Sequence, residues 1–282
     1  MIFIILSILL ISFNNVLWKI YLKENNTFFL ISFRSFITSL TALTLLFFSL
    51  NNFPNKEDFI KITLGSLLGV TGLICMLTLL KKHSLQWLGI YNLFGVFFTG
   101  ILLYVFEGFK TKISLLGSII IILGYGCYLI FNTKKHYKIG IKAHLLFFLT
   151  IFCFSSASFV HWKNLTRNLD PILIIANQEI VVFIVSSLIL YFKYKSTIKI
   201  TNYITNLNKV VIMSLVIILS LYFGFRGVKI TNPLISALLL LSGPLTTIVF
   251  SAFFFKERLT LKQLVPMALI FIGAFIISFQ NK

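Results

Sequence analysis

The chain has 282 residues, 58% of them hydrophobic and only 11% charged, with a mean hydropathy of +0.98. That balance excludes a soluble globular domain and defines a polytopic membrane protein with little chain outside the bilayer. The formal charge of +18 does not indicate nucleic acid, because the lysines sit in short connectors beside apolar runs and form no continuous basic stripe. They read as contacts to lipid headgroups and as topology signals.

A span needs roughly 20 apolar residues to cross the hydrocarbon core. In chain order the spans are expected near 3–22, 28–49, 59–80, 84–106, 112–131, 142–162, 171–192, 209–228, 231–255 and 261–279. The first run has no basic residue before it and no small-residue cleavage site after it, so it reads as a span and not a signal peptide. Cys75, Cys127 and Cys153 lie in apolar runs without metal-ligand spacing, so neither a metal site nor a disulfide is expected. Basic connector residues number fifteen on one side of the membrane and nine on the other. This leans toward both termini outside, by a margin too small to fix the orientation.

The two halves read as weak copies. Val16, Trp18 and Lys19 return in register as Val160, Trp162 and Lys163, while Leu115, Ile121 and Gly124 return at one common offset as Leu264, Ile270 and Gly273. The polar connector near 132–141 separates a first unit, 1–131, from a second, 142–282. With five spans in each, the second copy enters the bilayer upside down. The expected architecture is all-α, ten transmembrane helices in two inverted five-helix repeats around a central cavity.

Pro171 and Pro233 stand at expected helix starts, where a missing N–H costs little. Pro244 and Pro266 fall inside apolar segments and are expected to loosen their spans. Gly95 in the first half and Gly243-Pro244 in the second mark matched small-residue breaks. Such breaks either gate a cavity or permit close helix packing.

Two charges lie within spans, Arg34 and Glu179, at a cost of about 2.5–3.5 kcal/mol each on insertion scales. At the offset of the Trp-Lys pairs, Arg34 corresponds to Gln178 and Glu179 to Ser35. Arg34 lies about 9 Å and Glu179 about 12 Å from opposite faces of a core of about 30 Å, leaving about 9 Å between them along the normal. That gap suits a zwitterion whose carboxylate meets Arg34 and whose ammonium meets Glu179. The competing reading is an inter-helix pair that fixes the bundle. Glu179 is also the candidate for proton coupling, since a cation that displaces a proton from a buried carboxyl gives antiport.

Asn14, Asn15 and Trp18 near the end of span one, and Trp87 with Tyr91 on one face of span four, complete the candidate substrate site. The aromatics either hold a cation or a ring or form an interfacial belt. His161 reads as a proton relay or, more simply, a headgroup contact. Glu107 and Glu257 read as loop ion pairs with Lys110, Lys256 and Arg258.

Leu241-Ser242-Gly243-Pro244-Leu245, then Phe255 through Gln263 (Phe-Lys-Glu-Arg-Leu-Thr-Leu-Lys-Gln) and Gly273, resemble the ending of EamA-type units of the drug/metabolite transporter superfamily. Arg34 in Ile31-Ser32-Phe33-Arg34-Ser35-Phe36 is similar to the arginine those units often carry in the second span. Glu107 with Lys110-Thr111 is similar to their Glu-Arg-Leu-Thr turn with one residue inserted. Pro266 stands where the family usually has glycine, and Gly95 where it has proline. The resemblance implies ten helices around a substrate cavity and movement of a small metabolite, amino acid or drug.

The expected activity is secondary transport, outward, of an amino acid or similar zwitterion. An organic cation or quaternary amine transporter, and a non-transporting membrane scaffold, are the alternatives. No HExxH, intramembrane Asp pair or Walker motif is present, so neither an enzyme nor a cofactor is expected. The expected partners are a small-molecule substrate, membrane lipid and protons, with monomer and dimer both open. The expected location is the bacterial inner (plasma) membrane.

Overall fold

The computed structural model describes residues 1–21, 26–49, 54–80, 85–108, 114–132, 140–194, 200–255 and 261–280. They form eleven helices: α1 Ile2–Tyr21, α2 Thr27–Ser49, α3 Lys56–Leu80, α4 Leu85–Glu107, α5 Leu115–Asn132, α6 Ile141–Thr166, α7 Pro171–Tyr194, α8 Ile200–Ile230, α9 Pro233–Leu240, α10 Gly243–Phe255 and α11 Leu261–Gln280. Among the described residues, six segments are long and apolar enough to cross a membrane, with α9 and α10 counting as one, and four shorter apolar helices accompany them. The outer surface is a coat of large apolar side chains. Phe47, Phe48, Phe192 and Phe253 are each at least 80% exposed, which water would penalise and lipid does not.

The helix boundaries follow local chemistry. Pro171 and Pro233 open α7 and α9, as their fixed φ and missing N–H favour. Before each stands a capping side chain: Asp170 Oδ1 accepts from the Ile172 amide at 2.7 Å, and Asn232 Oδ1 from the Ile235 amide at 2.8 Å. The turn after α6 passes through Asn168 at φ 63°, a left-handed conformation that asparagine tolerates.

The ninth expected span, 231–255, is two helices. α9 ends at Leu240 and α10 begins at Gly243, with Pro244 in its first turn, where no helical N–H is needed. The matched break at Gly95 does not occur. α4 runs unbroken from Leu85 to Glu107, and a Cβ at Gly95 would lie 3.1 Å from Ile151 Cγ2 of α6. Glycine there permits close packing, and without a proline nothing removes a backbone hydrogen bond. α11 likewise continues through Pro266.

Packing proceeds by antiparallel pairs. α2 lies against α7, α3 against α6, α5 against α11, and α1 against α8, with further contacts of α4 to α6 and α1 to α10. Exchanging α1–α5 for α6–α11 in order carries this pattern into itself: α2–α7 and α5–α11 are unchanged, while α3–α6 becomes α8–α1. Backbones approach closely in these pairs. A Cβ at Gly117 would stand 2.9 Å from the Gly273 carbonyl oxygen, and one at Gly273 2.7 Å from that of Gly117. Across α1–α8, a Cβ at Gly227 would meet Ile4 at 2.4 Å.

Gly117→Val and Gly273→Val are each expected to destabilise the protein by about 1–3 kcal/mol through overpacking. Gly126→Ala, where a Cβ meets nothing within 4 Å, serves as the neutral control. Thermal unfolding in detergent checks this, and valine variants melting with the control would contradict the close α5–α11 approach.

Candidate functional site

Arg34 and Glu179 meet directly. Arg34 Nη2 donates to Glu179 Oε2 at 2.9 Å, and the two side chains are 6% and 2% exposed. The separation of about 9 Å expected from depth alone is therefore corrected to contact, which is the inter-helix pair of the competing reading. α2 and α7 lie side by side as antiparallel neighbours, and the long arginine side chain spans the difference in depth. Gln178, the arginine's partner by repeat offset, is half-buried on α7.

The same Nη2 donates to Ser35 Oγ at 2.9 Å. The Arg34 carbonyl accepts from Thr38 Oγ1 at 2.8 Å and from Ser214 Oγ of α8 at 3.1 Å, which ties this turn of α2 to a third helix. Trp18 of α1 presents its ring 6.0 Å from the guanidinium carbon, at the outer limit of cation–π range. Arg34 Nε is buried without a hydrogen-bond partner among the described residues. Asn14, one turn from Trp18 on α1, is likewise buried with its Oδ1 unpartnered.

Asn14 and Arg34 each lie seven residues from the same end of the bundle, counting from Tyr21 and Thr27, or about 10 Å deep. The site thus offers an ion pair, one free donor and one free acceptor at one depth, beneath an indole face.

Other expected residues lie elsewhere. Asn15 is exposed on the outer surface of α1. Tyr91 is buried between α4 and α6, stacked on Phe147 at 4.9 Å and 9°, with its hydroxyl hydrogen-bonded to His144 Nδ1. It shares no contact with Arg34 or Glu179 among those described. The Trp87 side chain lies outside the described residues, as do Lys110, Lys256, Glu257 and Arg258. Glu107 pairs with Lys163 at the end of α6, because the ends of α4 and α6 are neighbours. His161 is no headgroup contact. It is 4% exposed, packed over Gly65 of α3 and 5.4 Å from the Phe225 ring, and neither ring nitrogen has a hydrogen-bond partner. At the α9–α10 junction, the Gly243 carbonyl accepts from Ser12 Oγ at 3.2 Å and from Thr247 Oγ1 at 2.9 Å.

Sequence reasoning missed Asn177. Its Oδ1 accepts from Ser66 Oγ at 2.7 Å and its Nδ2 donates to Thr63 Oγ1 at 3.0 Å, locking α7 to α3 two residues from Glu179. The signal was present: Asn177-Gln178-Glu179 is a polar triplet inside an otherwise apolar span. Ser214 carried no such signal, since a lone serine in a membrane helix most often bonds its own backbone.

A bundle of long apolar helices with a lipid-facing coat and a charged pair sealed inside is an all-α integral membrane protein. Residues 141–279 match the EamA-like transporter family, and the chain belongs to that family of membrane transporters. It is similar to an uncharacterized protein of Methanocaldococcus jannaschii, 38% identical over 106 residues that cover 36% of this chain and 72% of that protein. A solved crystal structure superposes on 99% of this chain and 96% of its own with a TM-score of 0.78 at 14% identity, a likeness of fold alone.

Removing one partner of a buried ion pair strands the other charge. Arg34→Ala is expected to lower stability by about 3–5 kcal/mol, whereas Arg34→Met combined with Glu179→Leu recovers most of it. Thermal unfolding of these variants, with Arg34→Met and Glu179→Leu also made singly to close a double-mutant cycle, reads both; a double variant no more stable than the worse single would show that the pair is not the source of the loss.

Proposed function

We propose that this chain is a secondary transporter that moves a small zwitterion, with amino acids the leading class, outward across the bacterial inner membrane by alternating access. The two units, 1–131 and 142–282 joined by the linker at 132–141, act in this reading as inverted five-helix repeats forming ten spans. The exchange-invariant packing pattern supports it. The observation that carries the function is the buried Arg34–Glu179 pair between α2 and α7, with Arg34 Nε left open in it and Asn14 Oδ1 left open on α1, one turn from Trp18, among the described residues.

An incoming zwitterion replaces one ion pair with two: its carboxylate takes Arg34, its ammonium takes Glu179, and each protein charge keeps a partner. The exchange avoids the cost of a stranded charge in low dielectric. It also separates α2 from α7, which ties occupancy to the relative position of the units. A proton on Glu179 would loosen the same pair, making proton and substrate alternatives at one carboxylate. On the second unit, the α9–α10 junction supplies a hinge at Gly243-Pro244. Gly95 packs α4 on α6 and takes no gating role in this scheme.

The quaternary-amine reading draws on Trp18 and Glu179 but leaves Arg34 without purpose beside a cationic ligand. A scaffold without transport leaves the open polar atoms unexplained.

Thermal stability of the purified protein against a panel of amino acids and quaternary amines tests the proposal, because a ligand that binds only the folded state stabilises by mass action. The expected outcome is a shift by some amino acid, abolished in Arg34→Lys and Glu179→Gln, followed by flux of that solute into proteoliposomes. Shifts by amines alone that survive Arg34→Lys would overturn the zwitterion site in favour of cation transport.

A further inference from the structure

A cavity of about 190 Å³ opens between α2, α7 and α8, lined by Ala42, Leu45, Ile172, Ile175, Leu219 and Tyr222, with Ile218 beside them. Its lining exposes no polar surface. The floor is sealed, Ala42 and Ile175 being fully buried, while Leu45 and Leu219 at the rim are 44% and 48% exposed. It is a crevice entered from the lipid phase.

One edge leads to a charge. Ile218, Tyr222 and Arg226 stand on successive turns of one face of α8. The exposed Arg226 lays its guanidinium carbon 5.1 Å from the Tyr222 ring centroid, which fixes the cation at the mouth of the crevice. From Ile218 to Arg226 is about 12 Å along the helix. Arg226 lies four residues from the end of α8 at Ile230, about 6 Å and so at headgroup level, with Lys229 exposed one turn further.

We propose that this crevice is a specific site for an anionic phospholipid, with one acyl chain between α8 and the α2–α7 pair and the phosphate on Arg226. The occupant follows from complementarity. The interior accepts only hydrocarbon, and a planar guanidinium with no carboxylate partner among the described residues suits a phosphate in two-pronged hydrogen bonding. A zwitterionic headgroup fits less well, because its own ammonium approaches Arg226 and Lys229. The bound chain would wedge against the helices that carry Arg34 and Glu179, and the site stands whatever the transported solute proves to be.

The test uses the full chain in neutral detergent, titrated with phosphatidylglycerol or phosphatidylcholine of identical acyl chains. It is read by thermal unfolding and by lipid retained in native mass spectrometry. Phosphatidylglycerol is expected to half-saturate at about tenfold lower concentration, the worth of a charge-assisted contact. Arg226→Ala, an exposed position with little bearing on folding, should erase that preference, and Leu219→Trp, which fills the crevice from its rim, should weaken both lipids. Equal response to the two lipids in the wild type, a preference that survives Arg226→Ala, or lipid retention unchanged in Leu219→Trp would each overturn the proposal.

Discussion

Hydrocarbon gives helices no hydrophobic reason to associate, since a lipid tail is as apolar as a leucine side chain. What holds this bundle is backbone proximity and the few polar groups that cannot face lipid. The closest approaches fall at glycines: Gly117 with Gly273 across α5 and α11, Gly227 with Ile4 across α8 and α1, and Gly65 with the His161 ring across α3 and α6. Each removes a side chain so that two helices pack as surfaces in contact. The antiparallel pairing then fixes which polar residues are brought to one depth.

The buried pair between α2 and α7 follows from that pairing. Neither Arg34 nor Glu179 is tolerable alone in hydrocarbon, and each is sealed to within a few percent of full burial. Around them the network is uneven. Asn177, Ser66 and Thr63 are mutually satisfied and act as a clamp, while Arg34 Nε and Asn14 Oδ1 are not satisfied. Native interiors leave few such atoms without reason.

The helices α1–α5 and α6–α11 share a packing pattern but differ at one element. α4 is a continuous helix that uses Gly95 to approach α6, whereas its counterpart is divided into α9 and α10. The division follows from proline chemistry. Pro244 cannot donate to the carbonyl four residues earlier, and the chain resolves this with a turn at Leu241-Ser242, whose amides donate to the Leu238 and Leu239 carbonyls. A glycine without a proline leaves every helical hydrogen bond intact.

The sequence by itself determined the helices. Apolar runs of bilayer length, Pro171 and Pro233 behind their capping residues and the Gly243-Pro244 break are local properties, readable because each depends on neighbours in the chain. Arg34 and Glu179 were also legible as exceptions, since charge within an apolar run is rare enough to be noticed. Their partnership was legible only as one of two competing readings. Depth arithmetic set the two charges apart, and only the lateral contact of α2 with α7 and the reach of the arginine brought them together. Asn15 and Tyr91 left the constellation for the same reason, because rotation of a helix about its axis is set by its packing partners. His161, ordinary near a span end, became a buried side chain once Gly65 opened a place for its ring.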